Sequence, residues 1–125
     1  MDNLNKPDRW MVCSDLREWH NWLVDNYLIK SEVWLQIRKV KSEVIGVKLD
    51  EAVEEAICYG WIDGKMYSLD ESKYILRFTP RRSGSLWSKK NRKRAEVLIE
   101  KGRMTEVGMK KVKEAQENGH WGNAY

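Results

Sequence analysis

Alternation of apolar and polar residues in three short segments is the feature that most constrains the fold of this chain. In SEVWLQIRK (31–39), Val33, Leu35 and Ile37 share one face, and the residues between them share the other. The segments WIDGKMYSL (61–69) and KYILRFT (73–79) flank a polar DES turn, which is the pattern of a β-hairpin. Pro80 has no amide hydrogen, so the second hairpin strand ends there. The sequence therefore predicts a small antiparallel sheet of about three strands.

Apolar residues spaced by three and four positions predict helices on either side of the first strand. The first helix follows Ser14 as its N-cap and carries Trp19 and Leu23 on its apolar stripe. The second follows Asp50 as its N-cap, and Gly60 supplies its stop.

Two more helices are predicted after the hairpin. The third begins after Ser85 or Ser88 and stops at Gly102, and the fourth runs from Thr105 to Gly119. The resulting order is α-β-α-β-β-α-α, which predicts an α+β fold with about four helices and a C-terminal helical pair. There are no repeats and no linker, so we expect one domain over residues 1–125, with an irregular segment at 1–13.

The composition sets limits on the class of protein. A chain of 125 residues buries roughly two-thirds of its unfolded surface, which is enough for a core without staples. Cys13 and Cys58 lack metal-like spacing and are expected to be reduced, partly buried thiols. No apolar leader is present at the start, and no run approaches the ~18 apolar residues of a membrane span. We therefore expect a cytoplasmic protein.

Charge is unevenly distributed along the chain. Residues 1–72 carry a net charge of −5, residues 73–113 carry +11, and the last twelve carry −2. Residues 81–94 alone hold seven Lys or Arg and no acid. This asymmetry predicts either an anionic partner or neutralisation within the protein.

The basic run is placed at the start of a predicted helix, where cations are disfavoured because the helix N-terminus is itself positive. Exposed amide groups and a ring of cations at that point form an anion-binding arrangement. Acids of the first half, such as Glu54, Glu55, Asp63 or Asp70, could instead lie against the run and neutralise it. Trp87 and Tyr74 could stack on bases beside the cations. The predicted anion-binding residues are Arg81, Arg82, Trp87, Ser88, Lys89, Lys90, Asn91, Arg92, Lys93 and Arg94.

A second candidate site is centred on Asp63 in the segment YGWIDGK. Asp63 could act as a general base, as a turn former with Gly64, or as the partner of an arginine. We predict an Asp63–Arg77 cross-strand ion pair as the structural role. Trp61, Asp63 and Arg77 form the candidate pocket of an alternative, enzymatic reading.

Other chemistries have little support in the sequence. His20 and His120 have no neighbouring Asp or Cys that suggests a triad or a metal site, and the serines of the basic loop lack a G-x-S-x-G frame. We therefore predict no catalytic residues, no metal ligands and no cofactor.

Several segments taken together resemble the bacteriocin-protection, YdeI/OmpD-associated (OmdA) family. They are GWID (60–63), FTPR (78–81), WSKKN (87–91) and GRM (102–104), in the family's order and spacing, within a resemblance that runs from about Trp19 to Trp121. The resemblance implies a small protein with a role in tolerance of bacteriocins or envelope stress. It implies no catalytic residues.

The resulting functional hypothesis is a non-enzymatic binding protein whose 77–94 surface engages nucleic acid or a phosphorylated ligand. The alternative is a protein–protein module, in which acidic and basic surfaces meet across a homodimer or an envelope-stress partner. A small-molecule enzyme that uses Asp63 with Arg77 or Arg81 is the third reading.

Overall fold

A computed structural model describes residues 6–125 of the chain. The elements within it are α1 (Leu16–Asn26), β1 (Val33–Arg38), α2 (Leu49–Cys58), β2 (Trp61–Ser68), β3 (Lys73–Pro80), α3 (Lys89–Glu100) and α4 (Glu106–Asn118). The predicted order and the α+β class are both confirmed. The irregular segment predicted at 1–13 lies partly outside the described residues, and residues 6–13 form no helix or named strand.

The three strands form an antiparallel sheet in the order β1-β3-β2. The hairpin strand β3 is central, and Ile75 lies opposite Gln36 of β1 and Tyr67 of β2. A register shift between Asp63 and Met66 interrupts the pairing of β2 with β3. Such a bulge changes which face of the sheet the side chains after it occupy.

The helices cover one face of the sheet and form the main core with it. Trp19 of α1 is fully buried and packs on Phe78 of β3 with ring centroids 5.0 Å apart. Its indole N–H donates to the Ala52 carbonyl of α2 at 3.0 Å, which satisfies a donor that burial would otherwise leave unpaired. Trp22 stacks on Trp19 at 5.5 Å and extends the apolar stripe of α1 to the rim of the core.

The opposite face of the sheet has no covering helix and carries a smaller apolar layer. Ile75 is fully buried there, and Tyr67 is 6% exposed. Trp34 packs on Tyr67 with centroids 5.5 Å apart, so it belongs to this layer. Farther along the same face the residues become polar and basic.

Of the two starts predicted for α3, the structure has the one after Ser88, and the other predicted helix starts lie within two residues of the observed ones. Ser88 and Thr105 cap α3 and α4 through their side-chain oxygens, and Gly119 ends α4 in a left-handed conformation, as predicted. Two N-caps were wrong. Asp15, which accepts from the Glu18 amide at 3.1 Å, caps α1 in place of Ser14, and α2 begins after Lys48, so that Asp50 lies inside its first turn.

The C-terminal segment packs back on the start of α3. Trp121 is 8% exposed and meets Trp87 edge to face at 5.1 Å. Tyr125 donates its amide hydrogen to the Trp87 carbonyl and its carbonyl accepts from the Lys89 amide at 2.6 Å.

Every helix within residues 6–125 is too short or too polar to cross a bilayer.

Candidate anion-binding site

Arg81 is buried, unlike the other cations of the basic run at residues 81–94. The chain leaves β3 at Pro80, and the Arg81 amide continues the hairpin by donating to the Gly60 carbonyl at 2.8 Å. Its side chain then turns inward and lies over the Trp87 ring, 3.6 Å from the centroid, until only 3% of the residue is exposed. A guanidinium stacked in this way keeps its plane and its charge fixed.

The hydrogen bonding of Arg81 is incomplete. Its Nη1 donates to the Leu86 carbonyl at 3.2 Å, whereas Nε and Nη2 are buried and have no partner among the described residues. Burial lowers the pKa of Arg81 to about 10, and the charge of Asp63 opposes that change. The side chain is therefore still a cation at neutral pH, with two unused donors.

Arg81 lines a cleft of about 460 Å³ at the end of the hairpin, which we call the arginine cleft. Arg77 and Thr79 line it from β3, on the sheet face that has no helices, since they alternate with the buried Phe78. Arg82 and Ser85 close it from the following turn. Three arginines thus converge on one small concave surface.

The turn after Arg81 is held by its own hydrogen bonds. The Arg82 amide donates to Ser85 Oγ, and the Ser85 amide donates to the Arg82 carbonyl, both at 3.0 Å. Asn118 at the end of α4 donates to the Ser83 carbonyl at 2.8 Å. These contacts fix the backbone, while the Arg82 side chain is left exposed at the mouth of the cleft.

The cations of α3 do not join the arginine cleft. Arg92 donates to the Trp121 carbonyl at 2.9 Å, and Arg94 is bound to Asp50 and to Asn91. Lys89 and Lys93 are exposed. The predicted 77–94 surface is therefore divided into parts with different surroundings.

The amides at the start of α3 are also less available than the sequence suggested. The Asn91 amide donates to Ser88 Oγ at 3.1 Å, and the Lys89 amide is occupied by the Tyr125 carbonyl. An anion that used the Lys89 or Asn91 amide would have to displace a contact within the chain. In the arginine cleft, Nε and Nη2 of Arg81 have no hydrogen bond within the described residues that an anion would have to displace.

The aromatic residues expected to stack on bases do not present open ring faces. Trp87 is 3% exposed and Tyr74 is 9% exposed, and the Trp87 ring is covered by Arg81 and Trp121. The stacking role predicted for both residues was wrong because they complete the core and its edge.

The predicted Asp63–Arg77 ion pair was also wrong. Asp63 lies opposite Phe78, on the helix-covered face, and Arg77 projects from the other face, where it binds Glu32 at 3.0 Å. Trp61 is 1% exposed within the core. Trp61, Asp63 and Arg77 therefore do not share the pocket that the enzymatic reading needs.

Acidic residues of the first half do reach part of the basic half. Asp50 pairs with Arg94, Glu32 with Arg77 and Glu55 with Arg103. Asp70 pairs with Lys73, the first residue of the basic half, only three positions along the chain. Neutralisation within the chain is real but leaves Arg81 and Arg82 without a carboxylate within ion-pair distance among residues 6–125.

A network around the buried carboxylate of Glu55 was not predicted from the sequence. Glu55 is 6% exposed and lies 2.5 Å from His20 Nδ1, and its other oxygen accepts from Arg103 at 2.9 Å. The network joins α1, α2 and the loop before α4. Glu54 and Glu55 look alike in the sequence, and only the packing of neighbouring elements distinguishes them.

The thiols and the possible metal ligands give no further site. Cys13 and Cys58 are free and buried, as expected, and burial raises the pKa of each to about 11. Within residues 6–125, no group of three or more His, Cys, Asp or Glu side chains is placed to hold a metal ion.

Comparison with known proteins gives a family without an assigned activity. Neither the curated proteins nor the solved structures contain a match to this chain. Residues 11–111, which include all three strands and the arginine cleft, match the family described as a domain of unknown function, and the chain therefore belongs to the DUF8412 family.

Proposed function

We propose that this protein is a non-enzymatic binding protein that holds a phosphorylated ligand in the arginine cleft. The observation that carries the proposal is Arg81, a buried guanidinium with two unpartnered donors at a cleft that two further arginines line.

Buried polar groups are almost always hydrogen-bonded, and a buried charge without a full set of partners is costly. The fork of an arginine matches two oxygens of a phosphate, and such charge-assisted bonds are about twice as strong as neutral ones. A phosphate that reached Arg81 would supply acceptors for Nε and Nη2, which the rest of the described chain does not.

The surroundings of Arg81 favour an anion over a neutral ligand. Arg82 is exposed at the mouth and is free to turn toward a bound group, and Thr79 and Ser85 add hydroxyls. Glu32 is held by Arg77 and by the Trp34 indole, so its charge is partly engaged outside the cleft. The volume suits a phosphate and its immediate substituent, whereas the closed faces of Trp87 and Tyr74 disfavour stacked bases.

Isothermal titration of the full chain with pyrophosphate and with a mixed oligonucleotide tests this proposal. We expect pyrophosphate to bind, and Arg82→Ala to weaken it about tenfold, because one charge-assisted hydrogen bond is lost at little cost to the fold. Lys110→Ala removes the same charge from an exposed position on α4 and should leave affinity nearly unchanged. Equal weakening by both variants would mean that only net charge matters, and the cleft would then be rejected.

Arg81→Lys separates the guanidinium fork from the charge. Lysine is a point charge that cannot give two parallel bonds, so binding should fall at least as much as in Arg82→Ala. Thermal unfolding measured alongside shows whether loss of the stack on Trp87 has unfolded the site. A folded Arg81→Lys variant with full affinity would contradict the role assigned to Arg81.

The family resemblance of the sequence supports a physiological role in tolerance of bacteriocins or envelope stress, as a proposal that goes with the binding activity. In a strain that lacks the gene, wild type should restore survival under bacteriocin challenge, and the Arg82→Ala variant should not. Full rescue by the variant would separate the stress role from the cleft.

A further inference from the structure

A second cleft, of about 630 Å³, lies on the helix-covered side of the sheet and shares no residue with the arginine cleft. We call it the tyrosine cleft. Its walls come from the end of β1, the first residues of α2, the hairpin and the start of α3, where Lys90 lies on its rim. The binding proposed for the arginine cleft does not depend on the tyrosine cleft.

The start of α2 opens onto this cleft without a side-chain cap. The N-cap residue is Lys48, which has no acceptor oxygen, and no side-chain capping bond is formed there. The carboxylate of Glu51 accepts from the Lys48 amide at 3.3 Å, so it does not reach the amides of the first turn. The first turn of α2 carries two acids, Asp50 and Glu51, which suit the positive end of a helix, and Asp50 is already bound to Arg94.

Tyr74 supplies the cleft with a hydroxyl group. The residue lines the cleft and is 9% exposed, and its hydroxyl oxygen is not one of the fully buried atoms that lack a partner, so it is open to the cleft. Burial, followed by the charges of Asp50 and Asp63, raises the pKa of Tyr74, so the hydroxyl stays protonated and can donate.

The charges around the cleft are mainly positive. Lys48 and Lys90 are exposed and form no ion pair among the described residues. Arg38 and Lys39 add charge, although Lys39 Nζ is already bound to Ser68 and to the Asp70 carbonyl. Asp50 is the acid of the lining, and it is bound to Arg94.

Apolar side chains complete the cleft. Leu49 is 37% exposed and Met66 is 53% exposed, and both line the cleft beside the tyrosine ring. A bare phosphate would leave these surfaces in contact with water. Burying an apolar substituent against them gains roughly 25 cal/mol for each Å² removed from water.

We propose that the tyrosine cleft binds a phosphate monoester with an apolar or aromatic body. Its phosphate lies at the uncapped start of α2 between Lys48 and Lys90 and accepts from the Tyr74 hydroxyl. Its body packs on Leu49 and Met66. The site differs from the arginine cleft because it selects the organic part of the ligand as well as the charge.

Titration of the full chain with phenyl phosphate, followed by amide chemical shifts, tests this inference. We expect saturable shifts at Leu49, Asp50 and Tyr74, and an affinity at least tenfold higher than for inorganic phosphate. Tyr74→Phe should weaken binding about fivefold to tenfold, because it removes one hydroxyl donor and keeps the ring. The Lys48→Ala/Lys90→Ala double variant should weaken it further.

The controls separate this site from the proposed function. Arg82→Ala lies in the other cleft and should leave the shifts at Leu49 and Tyr74 unchanged. Inorganic phosphate that binds as tightly as phenyl phosphate would overturn the inference. Full affinity in a folded Lys48→Ala/Lys90→Ala variant, or shifts confined to the turn at Ser83–Ser85, would also overturn it, whatever the outcome at the arginine cleft.

Discussion

Gly108 gives the sharpest test of the packing of α4 against α2. It is buried in the first turn of α4, where that helix crosses the end of α2. A Cβ added at Gly108 would lie 2.5 Å from the Cys58 carbonyl oxygen and 3.0 Å from the Ile57 carbonyl oxygen. These neighbours are backbone atoms, so relief requires the two helices to move apart.

The close approach reverses the sign of the change in the free energy of unfolding that is expected for Gly108→Ala. In an open helix position, Gly108→Ala would stabilise the protein by about 1 kcal/mol, since alanine has the higher helix propensity. Overpacking against fixed backbone costs about 1–3 kcal/mol, and separation of the helices also weakens the Thr105 amide and hydroxyl bonds to the Cys58 carbonyl. We expect a net destabilisation of about 2 kcal/mol, which lowers the melting temperature by roughly 8 °C for a domain of this size.

Thermal and urea unfolding followed by far-ultraviolet circular dichroism measure the effect. The matched control is Gly84→Ala, because a Cβ there meets nothing within 4 Å and Gly84 does not have a positive φ. The control should change stability by less than about 0.5 kcal/mol. A Gly108→Ala variant as stable as wild type, or more stable, would refute the close packing of α4 on α2.

Three further predictions concern other parts of the fold. The hydrogen bond from Arg77 lowers the pKa of Glu32, so the pair stabilises the fold above pH 4.5, the ordinary pKa, and this stabilisation is lost as the pH falls. Because both side chains are exposed, the effect is small. In urea titrations, acidification to pH 3 should lower the free energy of unfolding of wild type by only about 0.5 kcal/mol more than that of Glu32→Gln. Cys13 and Cys58 have pKa values raised to about 11, so a thiol reagent should modify them only after denaturant is added, and rapid labelling of native protein would contradict their burial. Ser88→Ala removes the α3 cap and should cost about 1 kcal/mol in thermal unfolding, whereas no loss would mean that the contact with Tyr125 is sufficient.

The elements were predictable because their signals are local. Alternation and helical spacing determine which residues can be buried together, and Gly60, Gly102 and Gly119 all take the positive φ that a helix stop needs. The N-caps of α1 and α2 were less predictable, since Asp15 and Lys48 compete with good neighbouring cap residues. For α2 the tertiary packing placed the helix start at a residue with no capping ability, a choice that propensity does not favour.

The candidate sites were harder to predict because they depend on register and on long-range packing. Asp63 and Arg77 occupy adjacent strands, but the register places Asp63 opposite Phe78, and a one-residue difference moves a side chain to the other face. Glu32 binds Arg77 from a position 45 residues away, with no local pattern to mark it. Arg81 was among the predicted anion-binding residues, yet its burial against Trp87 was not visible in the sequence.

The basic residues between Arg77 and Arg94 belong to three parts of the fold, namely β3, the turn that follows it and α3, so they do not form one continuous surface. Arg77 alternates with buried residues of β3, Arg81 and Arg82 follow in the turn, and the remainder is spread around α3. The run therefore contributes to two clefts on opposite sides of the sheet, while Arg92 and Arg94 between them are bound within the chain. A long polyanion would have to cross these internal contacts to touch both clefts. Separate phosphate groups, one in each cleft as we propose, would not have to cross these contacts.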